Sequence, residues 1–263
     1  MPRPPSRIEL WIVELDSWAE RGLNASTLDT SDRLQAQHLR DAKGGCRLLA
    51  RRAVTRWILA GALGVAPSAV LIERVCPTCG ATTHGRPSVR GAGIEFSVSS
   101  SGPLATVAVS QLPIGVDAEI DRSDIGPLAF ALSDDEQRGI RAAAPDMQGL
   151  AFLHLWTAKE AVLKAAGTSM DDGLAAVDVS GLLSADHTTT VYRDLAWKVR
   201  TFSIEPRAGV TATVAVADQG GAGILMKCMH PPPVARTLAT EGLPAIKPDS
   251  PGSSRTQKSA DAC

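Results

Sequence analysis

The sequence predicts an α+β, sandwich-like fold, and three observations carry that prediction. Apolar residues recur with strand periodicity in short runs and with helical periodicity in longer ones. The strand-like runs cluster between residues 71 and 119 and again between 197 and 217, with helix-like segments before and between the clusters. The 263 residues carry 44% apolar side chains, enough for a core in one large domain or two small ones.

Along the chain, IELWIVEL reads as a strand, apolar and partly alternating. Thr30-Ser31-Asp32 is an N-cap cluster for a helical region that Gly44-Gly45 interrupts. A second helix runs from about Cys46 to Leu63, with Leu49, Val54, Trp57 and Ile58 inward. Arg47, Arg51, Arg52 and Arg56 crowd its remainder, as a solvated face or as a phosphate-facing one. LIERVC, IEFSVSS, LATVAVS and IGVDAE then read as four strands in quick succession. Ser133 and Glu136 have capping-box spacing and start a helix. Another helix spans about 147–166 and stops at Gly167. WKVRTFSIE and GVTATVAVA close the ordered part as strands. The order of elements suggests a repeat about Gln111, giving halves at 1–111 and 112–229. The Pro- and Ser-rich segment 230–263 reads as a disordered tail.

A net charge of −1 gives no global argument for nucleic acid or anionic membrane as a partner. Glu9 and Glu14 interrupt the first apolar run, so it does not read as a signal peptide. The uncharged stretch Trp57 to Ile72 is too short and too rich in Gly, Pro and Ser for a membrane span. Five cysteines, three of them scattered, make no disulfide framework, and a cytoplasmic setting is expected.

Four stretches could carry chemistry. In GVDAEIDR, Asp117 and Glu119 are two apart on a strand and so project to one face. Two such charges repel by about 4 kcal/mol at 4 Å and an effective dielectric near 20. Solvation at a strand end relieves that repulsion, and so does a hard cation such as Mg²⁺, which takes one or two carboxylates with phosphate oxygens and water. In HLWTAKEAVLKAAG, Glu160 and Lys164 are spaced i,i+4 for a helical ion pair, but apolar neighbours make the helix look buried. SVSSSG ends a strand in hydroxyls and a glycine, which suits a turn or a phosphate. Cys76, Cys79 and His84 look like half a zinc knuckle, without a second half at suitable spacing.

GVDAE followed about forty residues later by WTAKEAVLKAAG resembles the Sfp-type 4′-phosphopantetheinyl transferases. Their signature is (I/V)G(I/V)D-x-E, then W-(S/T)-x-K-E-(A/S)-x-x-K-x-x-G. FSVSSSG stands where the family has F-N-x-S-H-S-G, and HGRP where it has G-(K/R)-P. The resemblance covers roughly residues 8 to 216. It implies two similar halves with the active site in the cleft between them. It also implies transfer of the phosphopantetheine arm of coenzyme A to a serine of an acyl or peptidyl carrier protein by a monomeric enzyme. Asp117, Glu119 and Glu160 are then expected to converge on Mg²⁺. Lys164 and Lys159 would neutralise the pyrophosphate, and Glu160 is the candidate general base. Arg47 and Arg86 would hold the 3′-phosphate and neighbouring groups, and Ser99 would add a hydrogen bond. Ser100 replaces the family's histidine; it can still donate to phosphate but carries no positive charge. Whether Arg51 or another cation compensates stays open at this level. Rival readings are a non-catalytic module for coenzyme A or a carrier protein, and another Mg²⁺-dependent nucleotide-diphosphate enzyme.

Overall fold

A computed structural model describes residues 7–20, 27–39, 41–75, 80–82, 85–120, 131–168, 173–203, 210–217 and 225–229. The chain opens with β1 (Arg7–Glu14), α1 (Leu15–Glu20), α2 (Thr30–Gln37) and α3 (Ala42–Leu63). β2 (Ile72–Arg74) and β3 (Pro87–Val89) form a small hairpin. β4 (Glu95–Ser101), β5 (Leu104–Ser110) and β6 (Ile114–Ile120) follow, then α4 (Asp134–Ala142) and α5 (Gln148–Ala166). β7 (His187–Tyr192), β8 (Leu195–Ser203), β9 (Val210–Ala217) and β10 (Leu225–Met229) complete the described chain.

The main strands make two four-stranded sheets, ordered β10-β1-β5-β4 and β6-β9-β8-β7. Helix α3 packs Val54, Ile58 and Leu59 on the first sheet with Val13, Phe96 and Val107. Helix α5 packs Leu155, Ala158 and Val162 over Trp197, Val199 and Ala215 of the second. A third apolar cluster joins the sheets, with Ile8, Leu10 and Ala108 from one and Ile114, Val116, Val214 and Val216 from the other.

Several expectations need correcting. Strand β10, which falls within residues 112–229, runs parallel to β1 in the first sheet, whose other strands come from residues 1–111. Gly44 and Gly45 do not interrupt a helix; they lie in the first turns of α3, where Asp41 accepts the Gly44 amide. A Cβ at Gly45 would come within 3.0 Å of the Ala36 carbonyl, so the glycine permits close contact between α2 and α3. Leu49 is only half-buried, and Arg56 is buried rather than solvated. Serines 97 to 101 belong to β4, and the turn begins only at Gly102. Cys46 is disulfide-bonded, a bridge the cysteine spacing did not announce. The zinc-knuckle candidates Cys76, Cys79 and His84, and the tail at 230–263, lie outside the described residues. Among the described residues no helix is long and apolar enough to cross a membrane.

Candidate active site

The site forms where the edge strands of the two sheets meet. Alternation along β4 turns Ser97, Ser99 and Ser101 toward β6. Ser97 Oγ accepts the Val116 amide, Ser99 Oγ donates to Asp117 Oδ1 at 2.7 Å, and Ser101 Oγ donates to Glu119 Oε2 at 2.7 Å. Side chains therefore join the two strands where no backbone ladder does.

Helix α5 lies directly against β6 because residue 115 is glycine. A Cβ there would sit 1.8 Å from the Ala161 carbonyl oxygen and 2.6 Å from the Ala165 nitrogen. This approach brings Lys164 Nζ to 2.5 Å from Asp117 Oδ1, 3.4 Å from Glu160 Oε2 and 3.2 Å from Ser99 Oγ. Behind the site, Thr157 of α5 hydrogen-bonds Thr213 of β9, which in turn meets Thr201 of β8. Thr213 is the cross-strand partner of Asp117, so this hydroxyl chain fixes the helix on the strand pair that carries the carboxylate.

Asp117 is 1% exposed, and its Oδ2 is buried without a hydrogen-bond partner among the described residues. Burial and then the negative charge of Asp117 push the Glu160 carboxyl up to about 7, with Lys164 opposing the rise. Although burial acts against its charge, Asp117 and Glu160 hold the Lys164 ammonium above the usual lysine range.

The structure brings Asp117, Glu160, Lys164 and Ser99 together, but not the full expected set. Among the described residues, no three His, Cys, Asp or Glu side chains are grouped so as to hold a metal ion. Glu119 is near enough to add to the upward push on Glu160, behind burial and Asp117. Like charges separate unless a cation lies between them; Lys164 takes that place for Asp117 and Glu160, while Ser101 holds Glu119. Lys159 is also placed elsewhere. It is fully buried, meeting Glu136 Oε2 at 2.8 Å, Leu174 O at 2.9 Å and Val177 O at 2.5 Å. All of its ammonium donors are thereby used in holding α5 to α4 and the 174–177 segment, which leaves it no part in neutralising a pyrophosphate.

Arg47 makes a forked contact with Asp16, at 2.7 and 2.8 Å. Arg86 meets Glu95 at 2.7 Å and donates to the carbonyl oxygens of Ala165 and Ile114, bridging the end of α5 to the start of β6. Ser100 points to the opposite side of β4, where Arg51 Nη1 donates to its Oγ at 2.7 Å. A groove of about 1030 Å³ lined by Trp11, Trp57, Ile94 and Gln111 includes none of the expected site residues. Sequence reasoning missed Ser97, Ser101, Thr157 and Thr213. For Ser97, Ser101 and Thr213 the signal was the alternation of hydroxyls in SVSSS and VTATV, which places each set on one face of its strand.

A family model described as the 4′-phosphopantetheinyl transferase superfamily matches residues 113–215. The chain is 30% identical over 237 residues to the 4′-phosphopantetheinyl transferase HetI of Nostoc sp., covering 84% of this chain and 94% of that protein. It is also 30% identical over 132 residues to the 4′-phosphopantetheinyl transferase psf-1 of Bacillus pumilus, covering 47% and 54%. A 4′-phosphopantetheinyl transferase of Bacillus subtilis is 33% identical over 95 residues, covering 35% and 42%.

Proposed function

Because this chain belongs to the 4′-phosphopantetheinyl transferase superfamily, and so transfers phosphopantetheine to carrier proteins, we propose that its donor is coenzyme A and its metal Mg²⁺, seated where β6 meets α5. One observation carries this reading: Asp117 Oδ2, beside Glu160 and Lys164, is buried and has no hydrogen-bond partner among the described residues. The donor set suits a hard dication, being all oxygen, and one or two carboxylates suffice when phosphate oxygens complete the shell. Asp117 and Glu160 would hold Mg²⁺, with Glu119 as a further oxygen source. Bound there, the ion supplies positive charge against the phosphoryl oxygens as negative charge develops on them.

This chain's own residues do the rest. Lys164, steadied by Ser99, faces the donor pyrophosphate and stabilises charge on the leaving adenosine 3′,5′-bisphosphate. The carrier serine oxygen attacks the β-phosphorus, and its proton passes to Glu160. Helix α5, locked against β6 at Gly115, fixes the distance between the base and the acidic strand.

Intact-protein mass spectrometry tests the reading. With Mg²⁺ and coenzyme A, an apo carrier protein gains one phosphopantetheine; chelation of the metal abolishes the gain. Asp117→Ala and Glu160→Ala each remove transfer, on the order of a hundredfold or more, while circular dichroism stays native. Retained turnover in either variant would discredit these roles.

A further inference from the structure

Arg51 differs from the other cations of α3. Lys43 and Arg47 meet Asp16, Arg52 meets Asp32, and Arg56 meets both Asp29 and Asp32. Among the described residues Arg51 meets no carboxylate; its contact is the neutral Ser100 hydroxyl, at 2.7 Å. The side chain is only partly exposed. Burial, with the nearby positive charges of Arg52 and Arg74, pushes its pKa down to about 10, so it stays charged at neutral pH. Among the described residues Arg74 of β2 donates to the Gly85 carbonyl, and burial pushes its pKa down too. A half-buried guanidinium beside two others, steadied by a group that does not cancel its charge, is a site arranged for an anion.

The direction of β4 says which anion. Ser99 and Ser100 are adjacent and point to opposite faces of the strand, Ser99 to Asp117 and Lys164 and Ser100 to Arg51. The acidic cluster with Lys164 takes the donor pyrophosphate. Coenzyme A carries one other phosphate, on the ribose 3′ oxygen. Arg47 and Arg86, the residues the sequence offered for it, are already matched by Asp16 and Glu95. We propose that Arg51, its guanidinium oriented by Ser100, binds the 3′-phosphate of the donor. The positive charge missing from the strand at residue 100 is thus supplied from helix α3. This rests on coenzyme A being the donor.

Calorimetric titration with coenzyme A and with 3′-dephospho-coenzyme A tests it. The wild-type protein prefers coenzyme A, and Arg51→Gln lowers the affinity for coenzyme A by about tenfold or more while leaving the 3′-dephospho compound unchanged, as loss of a charge-assisted contact requires. Arg51→Lys keeps the charge without the fork and retains an intermediate preference. Ser100→Ala weakens only coenzyme A, by less. Equal weakening of both donors by Arg51→Gln, or an unchanged preference in both Arg51 variants, would overturn the assignment; if Arg51→Gln does not fold, the Arg51→Lys preference decides alone. A wild-type protein that bound neither donor would instead overturn the coenzyme A reading itself.

Discussion

Two lysines of one helix illustrate how position sets the role of a charge. Residues i and i+5 lie about 140° apart around an α-helix, whereas i and i+4 nearly share a face. Glu160 and Lys164 therefore reach the site together while Lys159 enters the core on the far side. That divergence was legible in WTAKEAVLK from helix geometry; the family resemblance alone obscured it by treating both lysines as phosphate contacts. A buried ion pair that loses one partner leaves the other uncompensated, at about 3–5 kcal/mol. Lys159→Met should cost that much in urea unfolding, and Lys159→Met combined with Glu136→Met should recover part of it. No recovery in the double variant would mean the pair is not the source of the loss. Asp16 gives a pH-dependent counterpart. Its hydrogen bond to Arg47 lowers its carboxyl from 3.8 to about 2. The folded value lies below the unfolded one, so this contribution is complete above pH 4 and fades as pH falls toward 2. The stability difference between wild type and Asp16→Asn should shrink over that window, and a difference constant with pH would remove the ion pair as its cause.

Contacts between elements depend on small residues and hydroxyls, and here the sequence was only partly readable. The capping box at Ser133 and Glu136 and the left-handed Gly167 that ends α5 fall where their local chemistry put them. Strands β7 and β10 went unrecognised. HTTTVY is a mostly exposed edge in which only Thr190 and Tyr192 are buried, and LMKCM earns its place through pairing with distant β1. Gly115 was visible as part of a motif, but its reason is tertiary. Gly115→Ala should force α5 off β6, because the obstructing atoms are the backbone oxygen of Ala161 and the nitrogen of Ala165. We expect a stability loss of roughly 1–3 kcal/mol or more from overpacking. Transfer should fall further than stability does, since Lys164 and Glu160 move away from Asp117. Adding Ala161→Gly should not rescue the variant, because the clash is with main chain. Thermal denaturation beside carrier mass gain checks both; an active, stable Gly115→Ala protein would contradict the close approach.

At the scale of the whole molecule, the two sheets do not behave as independent halves. Ile8, Leu10 and Ala108 of one share a buried cluster with Ile114, Val116, Val214 and Val216 of the other. Leu104 and Ile12 likewise join Ala118, Val210 and Ala212 in a second shared cluster. The serines of β4 bond to β6, and β10 belongs to the first sheet although it follows the last strand of the second. A site assembled from both sheet edges is then only as stable as their junction. Tryptophans report on each side: Trp11 and Trp57 pack in the first core, Trp156 and Trp197 in the second. Variants keeping tryptophan on one side alone should give the same urea midpoint by fluorescence, coincident with the loss of helical circular dichroism, as a two-state transition requires. Ile114→Ala, in the shared cluster, should lower that common midpoint by about 2–5 kcal/mol of stability without separating the two signals. Two distinct midpoints would show that each half folds alone, and the geometry linking Asp117 to Lys164 would then depend on docking between them.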